Sequence, residues 1–205
     1  MESTLTSQRV SRIYDRGDLL PQVTSGIWQV CQGWVQLNTY MAMGEERVLG
    51  WVGPSMWLGE GLTTRHNHHM KALSRVLMTW YPLDEIQHSP KHGYSLLQQK
   101  AKRLYQLEHL LSITAQKRAS DRLDNLLRLL TREMGQPTAE GIRLKARLTH
   151  QDLANAIGVN RVTVTRILGE FKRQNRLFLD ASKHWLVMPE KSQHLNVAQR
   201  GSNFH

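Results

Sequence analysis

The spacing of apolar and polar residues changes period along this chain, and the changes divide it into three zones. From about Ile13 to Trp80, short runs of β type recur: Gly26-Ile-Trp-Gln-Val-Cys31, Trp34-Val-Gln-Leu-Asn-Thr-Tyr40 and Arg47-Val-Leu-Gly-Trp-Val52. Gly17, Gly26, Gly33, Gly44, Gly53 and Gly59 sit between such runs, where a tight reversal needs positive φ. Short strands at this spacing predict an antiparallel roll or barrel. Trp28, Trp34, Trp51, Trp57 and Trp80 lie in this zone or at its edge, and their bulk predicts that they fill its core.

From about Tyr94 to Gln116 there is neither Gly nor Pro, and the composition turns to Leu, Gln, Lys and Arg. Tyr94, Leu97, Ala101, Leu104, Leu111 and Ala115 recur at three- and four-residue steps, the seam that a coiled coil buries. Leu96, Leu107, Leu110 and Ile113 form a second apolar stripe. A long helix apolar on two sides needs two partners, its own roll and a second copy, so the pattern predicts a homodimer.

In the third zone Leu123, Leu126, Leu127 and Leu130 predict another amphipathic helix, ended by Gly135-Gln-Pro137 and followed by a basic, strand-like stretch from Ile142 to Leu148. Thr149 then offers a hydroxyl cap and Asp152 a negative charge at a helix start. Leu153, Ala154 and Ile157 place apolar atoms on one face. Gly158 breaks the helix, Val159 buries a contact at the bend, and Asn160 caps a second helix that buries Val164, Ile167, Leu168 and Phe171. Two helices that cross steeply need a small residue where they touch, here Ala154, and a turn residue free to adopt positive φ, here Gly158. This is the spacing of a helix-turn-helix.

On the second helix Arg161, Val162, Thr165, Arg166 and Lys172 point away from the apolar face. Arginine suits bidentate contact with guanine, valine and threonine methyls suit the thymine methyl, and hydroxyls suit phosphate. With the caps, the candidate DNA-contacting set is Thr149, His150, Asn160, Arg161, Val162, Thr163, Thr165, Arg166 and Lys172. Arg143, Lys145, Arg147, Arg161, Arg166, Lys172, Arg173 and Arg176 concentrate positive charge in this stretch, against only Asp152 and Glu170. Two further β-type runs, Arg176-Leu-Phe-Leu179 and Trp185-Leu-Val-Met188, flank Asp180-Ala-Ser-Lys183 and predict a hairpin wing that touches the DNA backbone.

Bulk properties agree with that reading and remove others. The 205 residues carry 27 Lys plus Arg against 17 Asp plus Glu, a formal net charge of +10 that favours a polyanionic partner. A single cysteine, Cys31, excludes an intramolecular disulfide and a four-thiolate zinc or iron–sulfur site. No apolar run approaches the roughly 18 residues of a membrane span, so no membrane association and a cytoplasmic location are expected. No nucleophile–base pair or phosphate-cradling loop is evident, and the chain is not expected to be an enzyme. The alternative is a metal-binding, cupin-like sensor or enzyme using His66, His68 and His69. It lacks a nearby carboxylate, since Asp84 and Glu85 are distant, and a solvated histidine-rich loop accounts for the motif more simply.

A glycine-punctuated roll, a long helix and a winged helix-turn-helix, in that order from about Tyr14 to Pro189, resemble the Crp/Fnr superfamily of bacterial transcription regulators. The sharpest part of the likeness runs from Leu148 to Gly169, and Arg161-Val-Thr-Val-Thr-Arg166 is most similar to the recognition helix of the cyanobacterial global nitrogen regulators. The resemblance implies an α+β fold: an N-terminal antiparallel β-roll of the cyclic-nucleotide-binding, double-stranded β-helix type over 1–90, and a dimerisation helix over 91–118. A winged helix-turn-helix over 119–190 and a polar tail over 191–205 complete the division. It further implies double-stranded DNA with palindromic, GTA-type half-sites and RNA polymerase as partners.

What the resemblance implies for an effector is less uniform. Gly59-Glu60 is similar to the Gly-Glu of the cyclic-nucleotide cassette, but Lys71 stands near the place of the arginine that holds the cyclic phosphate. Without that arginine a cyclic phosphate is poorly compensated, so cyclic AMP is not expected. Arg103 and Glu108 fall on the arginine and glutamate that contact 2-oxoglutarate in the nitrogen regulators. Five residues apart on a helix, they project about 140° apart and would serve different subunits' pockets. The effector-binding candidates are therefore Gly59, Glu60, Lys71, Arg103 and Glu108, with 2-oxoglutarate or no effector at all as the outcomes.

Overall fold

The computed structural model describes residues 9–21, 26–59, 62 and 67–188. Eight strands come first: β1 (Ser11–Tyr14), β2 (Leu19–Leu20), β3 (Gly26–Gln32), β4 (Val35–Tyr40), β5 (Glu46–Val52), β6 (Trp57–Gly59), β7 (His68–Ala72) and β8 (Val76–Pro82). They pair antiparallel in two four-stranded sheets, ordered β1-β8-β3-β6 and β2-β7-β4-β5. The predicted roll is thus two facing sheets, with Trp28, Val30, Val35, Leu37, Met70 and Met78 among the residues of its interior. Gly17, Gly33, Gly44 and Gly59 have positive φ, as the turns require. Gly26 and Gly53 do not, and small size explains them: the rings of Trp80 and Trp34 lie 2.7 and 2.6 Å from where a Cβ would stand.

A short helix not expected from the sequence, α1 (Leu83–His88), leads into the long α2 (Pro90–Thr114). Ser89 caps α2 by accepting from the His92 amide, and Pro90 occupies the first turn, where its missing N–H costs nothing. Then follow α3 (Ala119–Met134), β9 (Gly135–Thr138), β10 (Gly141–Leu144), α4 (His150–Ile157), α5 (Arg161–Arg173), β11 (Leu177–Leu179) and β12 (Trp185–Val187). The C-terminal sheet has the order β11-β12-β10-β9. Gly135-Gln-Pro137 therefore does more than end a helix: it is an edge strand, the one place where a proline leaves the ladder intact. The strand expected from Ile142 to Leu148 stops at Leu144.

The core is not divided as the domains are. Trp34, Val48, Trp51 and Leu73, from the outer side of the β2-β7-β4-β5 sheet and its end, share one apolar cluster with Leu110, Ile113, Leu126, Leu153, Val164, Phe171 and Trp185. Only Trp28 of the five early tryptophans is fully within the roll interior, with Trp80 packed partly against it. Trp57 belongs to a third cluster with Ile27, Tyr81 and Ile86. Strand alternation explains the split, because neighbouring residues face opposite sides of a sheet that is covered on both.

Candidate nucleic-acid interface

The helix-turn-helix is built from local chemistry. Thr149 accepts from the Asp152 amide at 3.1 Å while the Asp152 carboxylate accepts from the Thr149 amide at 2.8 Å, a complete capping box. Gly158 follows α4 with φ 68° and ψ 41°, the left-handed conformation that a side chain would strain. Asn160 Oδ1 then accepts from the Thr163 amide at 2.8 Å and starts α5. Ala154 is fully buried at the crossing, and Val164, Ile167, Leu168 and Phe171 are buried beneath α5. Thr149 and Asn160 thus act as caps, while remaining exposed at the surface.

The opposite face of α5 is bare. Arg161, Val162, Thr165 and Arg166 are exposed, Val162 to 78%. Thr165 donates to the Arg161 carbonyl at 2.9 Å and lies 2.8 Å from His150 Nδ1, so the imidazole N–H is the donor to Thr165. Arg166 pairs one turn along with Glu170 at 2.5 Å. Thr163 is half-buried, its amide engaged by the cap. The sequence places Lys172 among the outward residues; instead it is half-buried, its ammonium 5.2 Å from the centre of the Trp185 ring.

Trp185, which sequence reasoning missed, ties these parts together. Its indole N–H donates to the Leu148 carbonyl at 2.8 Å, its ring stacks with His150 at 5.8 Å, and Lys172 lies over it. Burial, then the charges of Lys172 and Arg161, hold the His150 pKa below its ordinary value. The wing is held by a second group. Arg143 pairs with Asp180 at 2.5 Å and donates to His184 Nδ1 at 2.7 Å. Burial followed by the Arg143 charge lowers the His184 pKa. Burial alone would raise Asp180, but the hydrogen bonds from Arg143 and the His184 amide, together with the charge of Arg143, outweigh it and leave the carboxyl below its usual range. Arg176 likewise pairs with Asp124. Of the basic cluster read from the sequence, Arg143 and Arg176 are therefore spent on structure, because acidic partners far away in the chain reach them.

A sequence profile described as a Crp-like helix-turn-helix domain matches residues 122–187. The regulatory protein CysR of Synechococcus elongatus is 31% identical over 165 residues, covering 79% of this chain and 76% of CysR. The chain belongs to the Crp/Fnr family of transcription regulators. The global nitrogen regulator of Synechocystis sp. is 28% identical over 187 residues, covering 87% of this chain and 81% of that one. A cyclic nucleotide-binding domain-containing protein from Listeria monocytogenes shares the fold, with a TM-score of 0.73, 17% identity, and coverage of 87% and 89%. Crp/Fnr regulators bind DNA as dimers. Among the described residues no helix is long and apolar enough to cross a membrane.

In this Crp/Fnr chain the long helix has two unlike faces. Tyr94, Leu97, Leu104 and Leu111 are 58–72% exposed, and Ala101 and Ala115 are exposed with them. Of the second stripe Leu110 and Ile113 are buried and Leu96 is half-buried, but Leu107 is 41% exposed. The residues that face the roll are instead Gln99, Arg103 and Gln106, all buried. Gln99 accepts from the Trp57 amide and donates to the Trp57 carbonyl at 2.6 Å. One heptad on, Gln106 accepts from the Trp51 amide at 3.0 Å and donates to its carbonyl at 3.1 Å. Each amide side chain continues a strand's hydrogen bonding where no further strand follows.

Arg103 lies between the two clasps. Its Nη1 is buried without a hydrogen-bond partner, and burial lowers its pKa to about 10, so it stays charged at neutral pH. Gly50 makes room for it, since a Cβ there would stand 2.8 Å from Nη1. Beside it a void of about 10 Å³ is bordered by Gly59, His68, Met70 and Gln99. Glu108 is exposed on the seam side, so the structure does not bring it to Arg103 within the chain. Lys71, which the sequence places among the effector-binding candidates, instead points out of the roll and pairs with Asp152 at 2.8 Å, because strand alternation turns it away from the face of Met70. Glu60 and His66 lie outside the described residues. His68 and His69 belong to β7 and are half-buried, not part of a solvated loop. His69 pairs with Glu46 at 2.8 Å and stacks on Tyr40 at 4.8 Å. Among the described residues no group of three His, Cys, Asp or Glu is placed to hold a metal.

Proposed function

We propose that this regulator acts as a homodimer on palindromic duplex DNA, each subunit laying α5 in the major groove over a GTA-type half-site, with RNA polymerase as its partner at the promoter. The observation that carries the reading is the outer face of α5. Val162 is apolar, lies in the first turn and is almost wholly exposed, flanked by Arg161 and Arg166. Packing gives no reason for a valine there, whereas a thymine methyl does, and the arginines suit guanine. Thr165 shares that face, and Thr149, His150, Asn160, Thr163 and Lys172 rim it and would meet phosphate. Pairing of two copies is supported by the exposed Tyr94–Leu111 seam, whose three- and four-residue steps match a coiled coil.

Binding of labelled duplexes tests the reading. Arg161→Ala is expected to lower selectivity for the palindrome over random sequence by about 1–3 kcal/mol, while Lys172→Ala weakens both duplexes alike. Equal losses on the two duplexes for Arg161→Ala would reject base readout.

For the roll, the reading is that any small effector is an anion held by Arg103, of the 2-oxoglutarate kind and not cyclic AMP. The buried guanidinium without a full set of partners supports it. A void of about 10 Å³ has room for roughly one water, so such a ligand must displace the surrounding strands to enter. Calorimetric titration with 2-oxoglutarate checks this, and heat that persists unchanged in Arg103→Met would move the ligand elsewhere.

A further inference from the structure

Asp152 divides its two carboxylate oxygens between two tasks. Oδ2 accepts from the Thr149 amide and hydroxyl at 2.8 and 2.7 Å and starts α4, while Oδ1 accepts from Lys71 of the roll at 2.8 Å. Its side chain is 4% exposed, so the ion pair is closed off from water on the head's side. One turn further along α4, Asn155 donates to Glu46 Oε2, and Glu46 Oε1 pairs with His69. The next residue of β5, Arg47, reaches over the turn, with Nε 3.6 Å from where a Cβ on Gly158 would stand. These contacts span 81 and 109 residues of sequence and join two strands of one sheet to the first helix of the helix-turn-helix.

We propose that Lys71, Glu46 and His69 latch the roll onto α4 through Asp152 and Asn155, and that this latch sets the angle at which α5 is presented to DNA. The apolar cluster shared by roll and head holds them together, but apolar contact has no preferred direction. Charge-assisted hydrogen bonds at two points on α4, one turn apart, do fix direction. None of Lys71, Glu46 or His69 lies on the exposed face of α5, so they act on DNA only through the head. β7 also joins the latch to the roll interior: Met70 borders the void beside Arg103, and Lys71, the next residue, holds Asp152.

The inference rests on the reading of a dimer on two half-sites, and its test separates the two. In the Lys71→Met, Glu46→Ala double variant, affinity for the palindrome is expected to fall about tenfold, while affinity for a duplex with a single half-site is unchanged. The variant is also expected to lose the parent's preference among palindromes whose half-site spacing differs by one base pair. Lys71→Arg keeps the ion pair and should behave as the parent. In the free protein, amide exchange along α4 should quicken in the double variant. Unchanged palindrome affinity and spacing preference in a folded variant would overturn the latch, and so would an equal loss on the single half-site, which places the damage within the head. If the parent ignores both duplexes, the DNA reading fails first. Exchange then decides the latch, and α4 amides equally protected in parent and double variant would overturn it.

Discussion

Towards the DNA-binding head the roll offers Trp34, Val48, Trp51 and Leu73, whereas towards α2 it meets Gln99, Arg103 and Gln106. The first contact is area without direction, and its strength follows the apolar surface it removes from water. The second contact has apolar parts of its own, from Leu96, Leu110 and Ile113, but at its centre it depends on individual atoms: two amide side chains satisfy the backbone groups of Trp51 and Trp57 that the sheets leave unpaired. Together they teach that bulk and matching divide the work: apolar area holds the roll against its neighbours, while matched polar groups set direction, Gln99 and Gln106 at the long helix and the latch residues at α4. Damage to the first should be large and global, and damage to the second smaller and local.

The sharpest way to break that contrast is Trp51→Ala. Trp51 is 1% exposed and lies in the cluster shared with the head. Its loss should cost about 3–5 kcal/mol in chemical denaturation. Roll and head should still unfold in one transition, and two separate transitions would show that the shared cluster does not couple them. A smaller effect is expected from Gln106→Leu, which keeps volume but leaves the buried amide and carbonyl of Trp51 without partners, at about 1–3 kcal/mol. Arg103→Met is its counterpart, because it removes a buried charge whose Nη1 has no partner, and it should leave stability level or raise it. A loss for Arg103→Met as large as that for Gln106→Leu would mean that the arginine, too, is a structural clasp.

The smallest expected effect is on pH. His150 and His184 both have pKa values held below the ordinary 6.5, by burial first and nearby cations second. Once the chain unfolds they take up protons near 6.5, so between that value and the folded ones the unfolded state binds more protons and stability falls as pH falls. The depressed pKa of Asp180 acts only below the ordinary carboxylate value of 3.8, outside this window. Tm should therefore be lower at about pH 5.5 than at about pH 7.5, and the drop should shrink in a His150→Gln, His184→Gln variant. A Tm that rises on acidification would contradict the burial of these imidazoles in the head.

The head was legible because its signals are local. Thr149, Asp152, Gly158, Asn160 and the spacing of Ala154, Val164 and Ile167 act within a few residues of one another, and the structure uses each in the role that its chemistry predicts. The roll was legible as a class, from its strands and turns. Its glycines were less so, because Gly26 and Gly53 answer to tryptophans 54 and 19 residues away. The candidate sites divide in the same way. Exposure of Arg161, Val162, Thr165 and Arg166 follows from helical period alone, whereas Lys71, Lys172, Arg143 and Arg176 found partners that no spacing announces.

By itself the sequence determined what short range can determine: strand and helix periods, caps, the left-handed turn and the division of α5 into a buried and a bare face. Only the tertiary structure decided which charges remain free, which tryptophans hold the head, and that the strand carrying Lys71 touches α4. The physical reason is that an ion pair or a close ring contact depends on distance in space, and this fold brings residues 81 and 109 positions apart within hydrogen-bonding reach.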